Sequence, residues 1–494
     1  MARRVTLPPR LSLDDYEAVA HLVPAVRELR SEAAEVVPRL QDRKVWMVNS
    51  TEHGGGVAEM LPTMITLLQE LGVECEWVVI ESEEQRFFDL TKRIHNMIHG
   101  AGEPGFDADD RALLSAVNGE NARAMSEWVS EGDIVVVHDP QPLALGPELA
   151  AEVDILPVWR CHIGLDESTP ATQSVWEFLE PFTETYLRGI FSAPEYVPGS
   201  FLQRSTVLYP AIDPLSPKNR DMDLHRTVGV LCNSALAASP GPVLTPVYPH
   251  VAQRLQLHGD FAPANMAEDI GLLSRPIVTQ ISRWDRLKGW APLLEAFRLL
   301  KESVRESRTN GTDPLHARRL ELVRLVLAGP DPSSGADDPE GREVLEELCA
   351  QYLELPLHVK RDVALLALPM EDPDQNALMV NAVQRASSLV AQNSIREGFG
   401  LTVTEALWKG IPVLSNRKAC GPRQQVREGM DGCLVDDPED PEALARTLNE
   451  MLADPEARKA WGQNARRRVH QHFLVFSQLR RWLQTLAEVV ETRG

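Results

Sequence analysis

Short apolar, β-prone runs alternate along the chain with stretches whose apolar residues fall three and four apart. Residues 11–40 read as helical, with Leu, Val and Ala on one side and acids on the other. Strands are expected at 44–49, 73–80, 133–138, 155–162, 189–193 and 206–209, with an amphipathic helix at 57–71 closing the first strand–helix–strand unit. A second block repeats the pattern, with strands at 276–282, 322–328, 357–360, 388–391 and 411–414. Its helices are expected from about 290 and at 341–352, 376–386, 441–452, 456–473 and 476–491. This alternation predicts an α/β chain with two doubly wound, mainly parallel sheets. Between the blocks, residues 214–275 are crowded with proline and are expected to form a linker carrying an insertion, with little secondary structure of their own. Residues 331–340 read as an exposed acidic loop.

Candidate chemistry sits where strands turn into helices, which is where open α/β sheets bind ligands. After the strand at 388–391 comes Ser394-Ile395-Arg396-Glu397-Gly398-Phe399-Gly400-Leu401-Thr402-Val403-Thr404-Glu405, leading into a helix that stops at Gly410, before Pro412. Glu397 has no helix of its own to cap. Thr402-x-x-Glu405 fits a capping box, so Glu405 stands equally as a structural residue or a ligand contact. The turn after 276–282 holds Arg283 and Lys288. Fixed cations there could stabilise a departing diphosphate; the plain alternative is a solvated loop. In the first block, Gly54, Gly55 and Gly56 open the helix at 57–71. Bare glycines let backbone N–H groups approach a phosphate, although this is not a G-x-G-x-x-G turn. His138-Asp139-Pro140-Gln141 and Trp159-Arg160-Cys161-His162 place polar groups at two neighbouring strand ends. A histidine ending a strand is usually just a hydrogen-bonded residue, but two such ends beside a glycine turn point to a site. Asp221-Met-Asp223 falls in the proline-rich region and reads as coincidence.

At 494 residues the chain exceeds one ordinary core. Its 43% apolar and 25% charged content is that of a globular protein. With 72 acidic against 50 basic residues, the net charge of −22 argues against a nucleic-acid partner. The six cysteines show no zinc spacing and no C-x-x-C pair, as expected of a reduced, cytoplasmic chain. The basic N-terminus has no apolar stretch behind it, so no signal peptide is read, and no run is long enough to span a membrane.

The stretch from Ser394 to Ala406 resembles the E-x7-E motif of retaining GT-B glycosyltransferases, and Arg283-x4-Lys288 resembles their R-x4-K motif. With Val48-Asn-Ser-Thr51, Gly54-Gly-Gly-Val-Ala-Glu59, His138-Asp-Pro-Gln141, Trp159-Arg-Cys-His162, Pro194-Glu-Tyr-Val197, Ile212-Asp-Pro-Leu215 and Ile281-Ser-Arg283, the resemblance covers most of the chain. It is to the trehalose glycosyltransferring synthases and the related retaining trehalose phosphorylases. The resemblance implies two facing Rossmann-like domains: an acceptor-side domain at 1–215, the linker at 216–275, a nucleotide-sugar domain at 276–473, and a last helix at 474–494 packing back on the first.

It further implies roles. Gly55 and Gly56 would meet the donor phosphates, together with Arg283 and Lys288. Glu397 would face the donor sugar within the loop Gly398, Phe399, Gly400 and Leu401, and Glu405 would bind the ribose. His162 would touch the donor sugar, and Asp139 would lie near the acceptor. The expected reaction is reversible transfer of glucose from NDP-glucose to glucose, giving α,α-trehalose, without a cofactor or metal. The anionic donor then needs a local basic site within an acidic chain. Rival readings are a phosphorylase using inorganic phosphate, a transferase with another acceptor, and a non-catalytic sugar-nucleotide binding module. A homodimer stays open. The sequence departs from the family at Ile163-Gly164, at Ala419-Cys-Gly-Pro422 and in enlarged stretches at 214–275 and 362–374, which leaves the donor base and acceptor recognition open.

Overall fold

The computed structural model describes residues 1–52, 56–238, 247–264, 270–307, 313–332 and 338–493. The chain separates into two units, Met1–Pro210 with Leu474–Gly494, and Ala211–Phe473.

The first unit holds a seven-stranded sheet: β1 Arg3–Arg4, β2 Val45–Asn49, β3 Cys75–Val79, β4 Ile134–His138, β5 Leu156–Cys161, β6 Arg188–Phe191 and β7 Ser205–Val207. The spatial order is β1-β3-β2-β4-β5-β6-β7, parallel throughout except where β1 runs against β3. Every residue of β2, β4 and β5 is buried. Apart from Asn49, His138 and Arg160 these are apolar runs, which suit parallel strands covered on both faces. The chain leaves β2 for β3 on one side and returns to β4 on the other. Strand order therefore reverses between β2 and β4, and the crevice at their carboxyl ends is the place a ligand finds in this topology. The last helix, Val475–Arg493, belongs to this unit. It buries Leu479, Trp482, Leu483 and Leu486, sets Phe476 edge-on to Tyr16, and pairs Arg480 with Glu28 at 2.7 Å and with Glu32.

The second unit holds an eight-stranded sheet: β8 Gln253–Leu255, β9 Phe261–Pro263, β10 Ile277–Ile281, β11 Arg324–Pro330, β12 Val363–Leu368, β13 Leu389–Ala391, β14 Val413–Asn416 and β15 Gly432–Val435. The order is β15-β14-β13-β10-β11-β12-β8-β9. Only the β12–β8 and β8–β9 pairs are antiparallel. Here the order reverses between β10 and β13, so the turns carrying Lys288 and Glu397 leave adjacent strand ends.

Two expectations need correction. Residues 357–360 form a helical turn, Leu357–Lys360, entered from Pro356, and the strand is the following apolar run Val363–Leu368. The alternation in Leu-His-Val-Lys imitated a half-buried strand. The stretch 216–275 is also more than a linker. It contains the helix Leu224–Asn233 and the two strands β8 and β9, which extend the second sheet beyond β12. Proline marks its boundaries; Pro263 ends β9 on the sheet edge, where a missing N–H costs little. Asp223, half of the D-x-D string, caps the helix by accepting from the Arg226 N–H at 2.7 Å. Among the described residues no helix is long and apolar enough to cross a membrane.

Candidate active site

At the β10–β13 reversal, Lys288 and Glu397 meet. The Lys288 ammonium lies 2.7 Å from a Glu397 carboxylate oxygen, with the two side chains only 13% and 16% exposed. The turn that presents Lys288 is built by Asp285, whose carboxylate accepts from the Leu287 N–H at 2.8 Å. It closes at Gly289, with φ of +61°. A Cβ there would collide with the Asn393 carbonyl, so glycine is required both for the backbone turn and for this close approach.

The two loops are stitched together. Gln280, an amide buried within β10, donates to the Lys288 carbonyl at 2.8 Å and accepts from the Asn393 N–H at 3.0 Å. Asn393 donates to the Gly289 carbonyl at 3.1 Å, and the Ile395 N–H donates to the Leu287 carbonyl at 2.7 Å. Glu397 accepts further bonds from Ser394 Oγ at 3.1 Å and Gln392 Nε2 at 3.3 Å. A carboxylate held by an ammonium and two neutral donors is fixed in position as well as in charge.

Beyond Glu397 the loop turns at Gly400, φ +79°, into the helix Leu401–Trp408. The expected capping box is absent: Gly400 is the N-cap, without a side-chain cap, and Thr402 lies inside the helix. Glu405 is buried one turn further, 3.9 Å from the Lys218 ammonium. Lys409 follows four residues later. Burial pulls its ammonium down to about 7, against the opposing pull of Glu405. Glu405 is thus a buried carboxylate flanked by two amines. Arg283 differs from the others. It stands 79% exposed at the turn, 4.0 Å from Asp285, and makes no recorded contact with Glu397.

In the first unit the crevice between β2 and β4 gathers His138, Asp139 and His162. Asp139 has φ of +65°, a conformation few non-glycine residues adopt. Three bonds hold it there. Its N–H donates to the Arg160 carbonyl at 2.8 Å, its carbonyl accepts from Trp159 Nε1 at 3.0 Å, and its carboxylate accepts from the His162 N–H at 2.8 Å. Burial pushes the carboxylate up to about 6, opposed by the His162 N–H and the Arg160 guanidinium. His138 Nδ1 and His162 Nε2 are 3.1 Å apart. Arg160, fully buried, donates to the Leu208 carbonyl at 2.8 Å. Beside these groups a cavity of about 340 Å³ opens among Ser50, Thr51, Ser82, Phe88, Lys92 and Gln141 at the carboxyl ends of β2, β3 and β4. The Gln141 side-chain oxygen is buried without a partner among the described residues. Gly56 begins the helix Gly56–Glu70, and a Cβ on it would meet nothing. Gly55 lies outside the described residues. Among the described residues, no three His, Cys, Asp or Glu side chains are grouped to hold a metal ion.

The chain was compared with known proteins. Residues 47–198 match the family model "Trehalose synthase, N-terminal domain", and residues 267–468 match "Glycosyl transferases group 1". A trehalose synthase from Pyrococcus horikoshii is 34% identical over 475 residues, covering 96% of this chain and 95% of its own. The chain belongs to the trehalose synthase family of GT-B glycosyltransferases. Another relative, the trehalose synthase of Rubrobacter xylanophilus, is 33% identical over 99% of this chain and 100% of its own. The trehalose phosphorylase of Pleurotus pulmonarius is 26% identical across 90% of this chain, which spans only 59% of that protein. An α,α-trehalose 6-phosphate synthase structure from Burkholderia multivorans shares the fold, with a TM-score of 0.63 at 16% identity, covering 92% of this chain and all of its own.

For this glycosyltransferase, the structure brings Lys288 and Glu397 into contact, puts Gly398, Phe399 and Gly400 in the loop between Glu397 and the helix that Leu401 begins, and groups Asp139 with His162. Sequence reasoning missed the groups that hold these in place. Gln280 signalled itself as an amide inside an apolar strand. Lys409 could have been found as the i+4 neighbour of Glu405. Lys218 carried no local signal, because it reaches Glu405 from a distant part of the chain.

Proposed function

We propose that the protein is a retaining glucosyltransferase that makes α,α-trehalose from NDP-glucose and glucose, reversibly and without a metal. The observation that carries this is the Lys288–Glu397 pair, an ammonium and a carboxylate fixed at the strand-order reversal of the nucleotide-side sheet. On binding, the donor diphosphate competes for Lys288, and Glu397 turns to the hydroxyls of the donor glucose. Arg283, exposed at the same turn, closes on the same diphosphate. Backbone N–H groups from Gly398 to Leu401 add donors for the anion. Glu405 accepts from the two ribose hydroxyls. In the first unit His162 meets the donor sugar, Asp139 lies at the acceptor, and the cavity at Gln141 seats the acceptor glucose.

Transfer proceeds on one face of the sugar. The bond from the anomeric carbon to the phosphate oxygen breaks, and a bond to the acceptor oxygen forms on the same side. The acceptor's proton passes to the departing phosphate oxygen. The protein's part is alignment and charge stabilisation of the leaving diphosphate. A phosphorylase would use much of the same chemistry, but the chain matches the synthases over nearly their whole length and the phosphorylases over about three-fifths of theirs, as the 95% and 59% coverages record.

A donor-by-acceptor activity matrix with product identification tests the proposal, run with and without a chelator. Trehalose incubated separately with phosphate and with ADP, UDP or GDP separates the two activities. Trehalose formation from NDP-glucose and glucose that survives chelation is the expected result. Glucose 1-phosphate formed only with phosphate, or nucleotide-sugar binding without turnover across all acceptors, would overturn it.

A further inference from the structure

Behind His162 lies a side chain that the proposed transfer leaves without a task. His138, only 1% exposed, ends β4 and pairs in register with Arg160 of β5. Among the described residues its ring makes two polar contacts. Nε2 lies 3.4 Å from Met47 Sδ, and Nδ1 lies 3.1 Å from His162 Nε2. The two imidazole planes are within 14° of parallel, so an N–H of one can lie along the lone pair of the other. Burial holds both rings neutral. It takes His138 down to about 3 and His162 well below the ordinary imidazole range, and the Arg160 cation repels a proton from each.

Proton counting then fixes the tautomers. A thioether sulfur accepts but carries no proton, so the Met47 contact is a hydrogen bond only if His138 Nε2 is protonated. A neutral His138 protonated there has a bare Nδ1. The contact between the rings needs one proton, which must come from His162 Nε2. A neutral His162 protonated at Nε2 has a bare Nδ1. The opposite arrangement sets an imidazole lone pair against a sulfur lone pair and strands a buried polar nitrogen.

We propose that His138 is a positioning residue that locks His162 in its Nε2–H tautomer, so that His162 offers Nδ1 as an acceptor to one sugar hydroxyl. This rests on the reading that His162 faces a sugar. A locked acceptor takes a hydroxyl and rejects a fluorine at the same position, since fluorine has no proton to donate.

The test uses the full chain with 15N-labelled histidine, because ring-nitrogen shifts report which nitrogen carries the proton. Wild type is expected to show His162 as Nε2–H. His138→Phe, which keeps a ring but no acceptor, should mix the tautomers. His138→Asn, whose side-chain oxygen stands near the place of Nδ1, should restore the lock. In parallel, kcat should fall about tenfold in the Phe variant and recover in the Asn variant. In a series of singly fluorinated donors, the wild type should be penalised most at one position, and that penalty should shrink in the Phe variant. A wild-type His162 protonated at Nδ1, or an unchanged tautomer in His138→Phe, would overturn the proposal; should that variant not fold, the wild-type spectrum decides. The spectrum needs no turnover. An Nε2–H signal in a protein that transfers no glucose would keep the lock and sink the glucosyl reading, while an active enzyme with Nδ1–H would do the reverse.

Discussion

Where the first sheet reverses its strand order, between β2 and β4, burial suppresses charge: His138 and His162 are held neutral and the Asp139 carboxyl is pushed up to about 6. Where the second sheet reverses, between β10 and β13, Lys288 and Glu397 form an ion pair 2.7 Å apart inside a frame of amides and a hydroxyl. One topology thus yields two kinds of crevice. The first, with its uncharged histidines, its amide and a carboxyl opposite the buried Arg160 guanidinium, suits the hydroxyls of a sugar. The charged one suits a diphosphate, which can displace a carboxylate from an ammonium without requiring a new cation to be desolvated. On the proposed reading a cation fixed at short range carries recognition, so the overall charge of −22 is no obstacle.

The contrast can be broken by substitution. Lys288→Ala should produce the largest loss, about a hundredfold or more in kcat, because the leaving diphosphate loses its fixed cation and faces an unneutralised Glu397; steady-state rates on the purified variant check this. Gly289→Ala comes next. It forces a side chain into φ of +61° and against the Asn393 carbonyl, and should destabilise by about 2 kcal/mol in urea denaturation while slowing transfer. Arg283→Ala should cost roughly tenfold in kcat/KM. The side chain is 79% exposed, so the melting curve should not move.

Asp139→Asn reads the first crevice directly. The folded carboxyl titrates near 6 against an ordinary 3.8, so the folded state holds its proton to higher pH than the unfolded chain. Its contribution to stability is full below about 4 and is lost as pH rises through about 6. Asn removes that slope, which urea midpoints at pH 4.5 and 6.5 would show (roughly the edges of the titration).

Much of this was legible in the sequence. Short β-branched or apolar runs such as Ile134–Val137 of β4 and the whole of β12 read as buried strands, although the alternation at Leu357–Lys360 drew attention from the latter. The turn carrying Glu397 stood out because an acid just ahead of Gly398-Phe399-Gly400 has no helix to serve. What stayed hidden was pairing at a distance. Lys288 and Glu397 are 109 residues apart, and nothing local says that Gln280 and Asn393 tie their loops together. The Thr402–Glu405 spacing suggested a cap that Gly400 pre-empts by starting the helix two residues earlier. Three-residue strands such as β8 and β9 are too short to show a period, so proline dominated the reading of that region.

Titrating a nucleoside diphosphate into wild type, Lys288→Ala and Glu397→Gln tests the central claim most directly, because the two variants should move in opposite directions. If the diphosphate takes Lys288 from Glu397, the alanine variant binds at least about tenfold more weakly. The glutamine variant, freed of the competing carboxylate, then binds more tightly even as transfer slows. Equal affinity in all three proteins would contradict the account.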